Sequence, residues 1–207
     1  MIIFNYMTQS TRRRFLTGCL AVPVAAFSTL RVKLAGQGLG QFGNSAAAPC
    51  LLDDKATPAV PAGKEFKPGS PSRTSLIEPG VAGPKLVLTG IVRGLTCGPI
   101  KGAVVDFWQA DAQGVYDQAG FKLRGHQSTD AAGKYRLDTI VPGASGTRAP
   151  HLNARVTPPG KPVFTTRIFL PDAAQNKKDP AFKPELAMKV TEGRDGKTAT
   201  FDIVLNL

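Results

Sequence analysis

Cysteine is scarce in this chain, helical periodicity is missing, and the first 48 residues carry no acid. The three cysteines are Cys19, Cys50 and Cys97, and no two form a Cys-x-x-Cys pair. That argues against a zinc or dithiol redox motif. No window holds a sustained helical apolar stripe. With 22 glycines and 17 prolines in 207 residues, the composition favours strands and turns over long helices. Residues 1–48 contribute five basic side chains, and the other 21 basic and all 15 acidic residues lie scattered beyond them. No aromatic-interleaved basic patch and no recognition helix accompanies that charge, so nucleic acid is not an expected partner. The later charges read as solvated surface.

What the N-terminus does hold is an address. Thr11-Arg12-Arg13-Arg14-Phe15-Leu16 resembles a twin-arginine export motif, and an apolar run from Phe15 to Leu30, broken by Pro23, follows it. This is the basic-then-apolar order of a signal peptide. The run is shorter than the ~20 residues a membrane-spanning helix needs; an uncleaved N-terminal anchor is the alternative. Leu16-Thr17-Gly18-Cys19 has the look of a lipobox but precedes most of the apolar run, so lipidation is not expected. Cleavage is expected after the small residues Ser45 to Ala48. Residues 1–48 are therefore read as an export segment, and the mature chain as periplasmic or otherwise extracytoplasmic, with no stable membrane span after cleavage. In that compartment Cys50 and Cys97 are the candidate disulfide.

Residues 49–84, rich in Pro and Gly, read as an extended arm over the core or as a linker. Periodic patterns then begin and run to residue 207. Lys85–Val92 is β-branched and apolar. Ala103–Gln109 and Gly133–Ile140 alternate, and Leu152–Val156, Val163–Leu170 and Ala199–Leu207 complete the set. One short helical or irregular piece is expected at 179–189. Short strands at regular spacing with Gly/Pro turns predict a single-domain all-β sandwich over 85–207.

Arg148-Ala-Pro-His151-Leu-Asn153 carries the most information about chemistry. On a strand His151 and residue 153 share one face. Two histidines there would chelate a metal, but the second position is Asn, which has no imidazole and cannot become an anion. Cys97-Gly-Pro-Ile-Lys-Gly-Ala103, Val105-Asp-Phe-Trp108, Asp111-Ala-Gln-Gly-Val-Tyr116, Thr129-Asp-Ala-Ala-Gly-Lys-Tyr135 and Thr139-Ile-Val-Pro-Gly143 surround it in order. With His151-Leu-Asn153 and Phe164-Thr-Thr-Arg167, this series resembles the intradiol ring-cleavage dioxygenases over roughly residues 64–207. The resemblance implies non-haem Fe(III) held by two tyrosinates and two histidines. Dioxygen is inserted into a catechol-type ring, giving a muconic acid. It also implies a small aromatic diol or aromatic acid as partner, and a possible homo-oligomer.

Carried over by position, the resemblance assigns Tyr116 and His151 as metal ligands and Arg148 as the arginine that steadies charge on the substrate. Ser145 stands where the second tyrosine is expected, Asn153 where the second histidine is, and Arg167 replaces a glutamine and reads as a contact to an anionic aromatic acid. A serine hydroxyl ionises far less readily than a phenol, whose pKa is ~10. A neutral amide is a weak ligand for a hard ferric ion. Tyr116 and His151 alone are therefore expected to hold Fe(III) poorly. Rescue from elsewhere is not expected: His126 reads as a structural histidine between strands, and Tyr135, Phe107 and Trp108 read as core. The expectation is a family member with impaired ring cleavage. The alternative is a non-catalytic exported sandwich that binds aromatic acids or a protein partner.

Overall fold

The computed structural model describes residues 55–207. The segment read as an export signal, its expected cleavage region, Cys19 and Cys50 lie outside them. Cys97 is disulfide-bonded, and its partner also lies outside the described residues. The described strands are β1 Lys85–Gly94, β2 Val104–Gln109, β3 Arg124–Ser128, β4 Lys134–Ile140, β5 His151–Thr157, β6 Phe164–Phe169, β7 Lys189–Gly193, β8 Gly196–Thr200 and β9 Ile203–Leu205. Two 3₁₀ turns, Ala174–Lys178 and Pro184–Leu186, bracket the start of the segment read as short and irregular. Among the described residues no helix is long and apolar enough to cross a membrane.

The strands form two sheets, one ordered β4-β1-β8-β7 with β9 also on β1, the other β3-β2-β5-β6. Alternation does the sorting. Leu86 and Leu88 of β1, Leu137 of β4, Val105 and Phe107 of β2, and Leu152, Ala154 and Val156 of β5 are all fully buried in one core between the sheets. Each large side chain there contributes roughly 1.5–3 kcal/mol by leaving water. The all-β sandwich expected from the sequence is the fold observed. Tyr135 is buried in this core, as read. Trp108 is buried too, but in a second cluster with Ala110 and Tyr116, on the opposite face of its sheet from Phe107.

Midway along β1 the neighbour changes. Leu86 to Thr89 pair with β8, while Val92 to Gly94 pair with β9, both in parallel. Gly90 sits at the change, where a Cβ would lie 1.8 Å from the Phe201 carbonyl oxygen. The Tyr135 hydroxyl donates to that same carbonyl at 2.6 Å, and Asp202 accepts from the Ile91 amide at 3.0 Å. These bonds hold the jog that separates β8 from β9, which the sequence had presented as one run from Ala199.

Two further corrections concern strands. His126 is not between strands: it lies on β3, opposite Asp106 of β2. Arg124-Gly-His-Gln-Ser has no β-branched or aromatic residue to mark it. It is a strand because β2 pairs with it on one side and residues 71–73 on the other, through His126 N–H to Pro71 and Arg73 N–H to His126. The β7–β8 hairpin is likewise unmarked, since most of its side chains are exposed and little alternation survives.

Residues 55–84 run as extended chain across both sheets. Thr57 donates to Val204, Val60 to Thr165, Arg73 to His126 and Leu76 to Asp138. This arm covers the outer face of the β3-β2-β5-β6 sheet where the candidate residues lie.

Candidate functional site

Pairing in the second sheet builds a row of side chains on its outer face. Trp108 stands opposite Arg124 on one side and Asn153 on the other, and Asn153 stands opposite Arg167. His151 is two residues from Asn153 on β5, so both side chains project from this same face. Both are 2% exposed, hence removed from bulk water.

Tyr116 reaches the row from a loop whose shape the sequence dictates. Asp111 Oδ1 accepts from the amides of Gln113 and Val115, and the Asp111 carbonyl accepts from Gly114 and Gly143. Gly114 has φ +83°, and a Cβ there would sit 1.8 Å from the Ala144 carbonyl oxygen. Only glycine meets both demands. The loop after β4 is thereby clamped on the turn that ends in Tyr116.

The polar atoms of the site form a closed chain. His151 Nδ1 lies 2.6 Å from the Ala149 carbonyl, which can only accept, so Nδ1 carries the proton and Nε2 is the acceptor. The Tyr116 hydroxyl donates to Nε2 at 3.2 Å. Asn153 Nδ2 donates to the Tyr116 oxygen at 3.0 Å and to the Trp108 carbonyl at 3.1 Å. The Trp108 carbonyl fixes the amide's orientation: nitrogen, not oxygen, faces Tyr116.

Electrostatics follow from burial and two guanidinium groups. Burial, with the charges of Arg167 and Arg148, pushes His151 down to about 4, so it is neutral near pH 7. Burial raises the Tyr116 phenol, opposed by the Asn153 hydrogen bond and by both arginines. Arg148 stacks over the Tyr116 ring at 5.4 Å and donates to Glu65 and to the Ser145 hydroxyl, each at 3.3 Å. Burial would raise the Glu65 carboxyl, but hydrogen bonds from Gln118 and Arg148 outweigh it and hold it below the usual range.

The structure thus brings Tyr116, His151, Asn153 and Arg148 into one cluster, with Arg167 beside Asn153. Ser145 is held by Arg148, and among the described residues no hydrogen bond joins it to Tyr116 or His151. His126 is apart from this network: its Nδ1 bonds the Ser70 carbonyl at 2.8 Å. Among the described residues no three His, Cys, Asp or Glu side chains converge on a metal position. Sequence reasoning missed Glu65 and Phe66, which the arm lays on the site. Phe66 packs edge-on against Trp108 with centroids 5.1 Å apart, and the Arg155 guanidinium lies 5.2 Å above Phe66. Their only local signal was the Pro/Gly-rich setting, since the Glu65–Arg148 contact spans 83 residues.

Comparison with known proteins places this site in context. The dioxygenase family model matches residues 71–158. The protocatechuate 3,4-dioxygenase alpha chain of Pseudomonas putida is 32% identical over 161 residues, covering 65% of this chain and 80% of that one. Catechol 1,2-dioxygenase 1 of Acinetobacter lwoffii is 42% identical over 72 residues, covering 31% of this chain and only 23% of the relative's length. The dioxygenase domain of a carbohydrate-binding fusion protein from Streptomyces sp. SirexAA-E superposes with a TM-score of 0.72 at 43% identity, over 74% of this chain and 99% of that domain. On fold, motif order and kinship, this chain belongs to the intradiol ring-cleavage dioxygenase family.

Proposed function

We propose that this chain is an intradiol-type dioxygenase relative with impaired ring cleavage, whose site still receives catechol-type or acidic aromatics. The observation that carries this is the Asn153 amide. It turns N–H donors toward Tyr116 and the Trp108 carbonyl, where a ligand to a metal must offer a lone pair. Two donors do suit iron: Tyr116 Oη, and His151 Nε2 in the tautomer that leaves its lone pair facing Tyr116. The other two positions do not. Ser145 offers an alcohol already engaged by Arg148, and two guanidinium groups lie close enough to depress His151. Two protein donors beside two cations do not fit a tightly held Fe(III), and no ring-cleavage step is assigned through it. What the residues retain is a buried aromatic and cationic face suited to a small aromatic anion. The Thr11–Leu16 motif supports export, with the site working outside the cytoplasm.

The test is metal content and visible absorption of mature protein purified with iron present, before and after catechol is added under air. The expected result is substoichiometric iron, no tyrosinate-to-iron charge-transfer band and no muconic acid. Near-stoichiometric iron with a band that shifts on adding catechol would overturn the proposal. Ser145→Tyr combined with Asn153→His is expected to recover iron and colour.

A further inference from the structure

Arg167 is a half-buried guanidinium without an acceptor. It stands opposite Asn153, and among the described residues no carboxylate, carbonyl or hydroxyl bonds it; its Nε is buried and unpartnered. Asp179, whose charge acts on it, makes no hydrogen bond to it: its Oδ2 accepts from the Ala149 amide and its Oδ1 from the Ala181 amide, each at 2.9 Å. Arg148, by contrast, already holds Glu65. The same cross-sheet row carries two more buried donors with no acceptor: Trp108 Nε1, in a residue 2% exposed, and Arg124 Nε, whose terminal nitrogens are held by the Glu65 and Asp117 carbonyls. Buried N–H groups left without acceptors are rare and call for an explanation. An oxyanion ligand supplies one.

We propose that this face is a metal-independent site for a carboxylate carried on an aromatic ring, with the Arg167 guanidinium taking the carboxylate. A planar guanidinium matches a carboxylate through two parallel N–H bonds, which a glutamine or a lysine at that position does not reproduce. The aromatic preference comes from Trp108 and Tyr116, buried in one cluster beside the row. This inference rests on the reading that iron is not tightly held.

The experiment titrates benzoate into chelator-treated mature protein, read by calorimetry and by the fluorescence of Trp108, the single tryptophan of the chain. Benzyl alcohol is the neutral control. Expected are saturable benzoate binding that the chelator leaves unchanged and weaker binding of benzyl alcohol. Arg167→Gln, shown by circular dichroism to be folded, should weaken benzoate binding roughly ten- to hundred-fold, and Arg167→Lys should restore part of it. No saturable binding to metal-free protein overturns the inference. So does equal affinity for benzyl alcohol, which keeps the test decisive even if the Arg167 variant fails to fold. Stoichiometric iron in wild type together with Arg167-dependent benzoate binding after its removal would sink the impaired-enzyme reading and leave this site standing.

Discussion

The buried histidine makes stability depend on acid in a way that can be isolated. His151 is pushed from 6.5 to about 4, chiefly by burial. Its folded pKa lies below its unfolded one, so the unfolded chain takes up the proton first. Above pH 6.5 neither state is protonated and the residue has no linked effect. As pH falls from 6.5 toward 4, the folded state is progressively disfavoured, and below 4 the effect levels off. The window of about 2.5 units corresponds to about 3 kcal/mol. The assay is urea unfolding of chelator-treated wild type and His151→Gln, each at pH 7 and pH 4. Carboxylates that titrate over the same interval are common to both proteins and cancel in the difference. Wild type should lose about 3 kcal/mol more than the variant over that interval, a midpoint displacement of roughly 1–3 M urea. If the gap between the two proteins is the same at both pH values, His151 is not held neutral, and the closed chain from Ala149 to Trp108 is wrong. A wild type that loses less than the variant between pH 7 and pH 4 would refute the sign itself.

Three other perturbations test the scaffold. Gly114→Ala places a methyl group on the Ala144 carbonyl; about 1–3 kcal/mol should be lost, seen in thermal melts, with Tyr116 displaced. Tyr135→Phe leaves the buried Phe201 carbonyl without its 2.6 Å donor and should cost about 1–3 kcal/mol with little change in aromatic-acid binding. Phe66→Ala removes the ring lying against Trp108; acrylamide should quench tryptophan fluorescence more strongly than in wild type, and unchanged quenching would mean the arm does not seal the site.

Legibility in the sequence followed alternation. β1, β2, β4, β5 and β6 announced themselves because one face of each is apolar core and Gly or Pro ends each run. β3 did not, because Arg124-Gly-His-Gln-Ser gains its place from neighbours on both sides rather than from its own side chains. The candidate site divided the same way. His151 and Asn153 sharing a face follows from strand periodicity, and the structure places them so. The partnership of Arg148 with Glu65 depends on an arm more than 80 residues upstream. No local pattern encodes such a contact. Trp108 shows the intermediate case: its burial was evident, but which of two clusters it joins depends on the sheet's sidedness.

The change of neighbour along β1 bears on when this protein can acquire its shape during synthesis. β1 begins at Lys85, yet two of its three strand partners, β8 and β9, lie more than 100 residues later, at Gly196–Thr200 and Ile203–Leu205. Only the pairing with β4 is available while the ribosome is still translating the middle of the chain. Partners so far apart in sequence make loop closure, not local propensity, the slow event. The nascent sandwich therefore keeps one flank of β1 open until residues 196–205 emerge, an exposed edge that a chaperone must guard or that another strand can join.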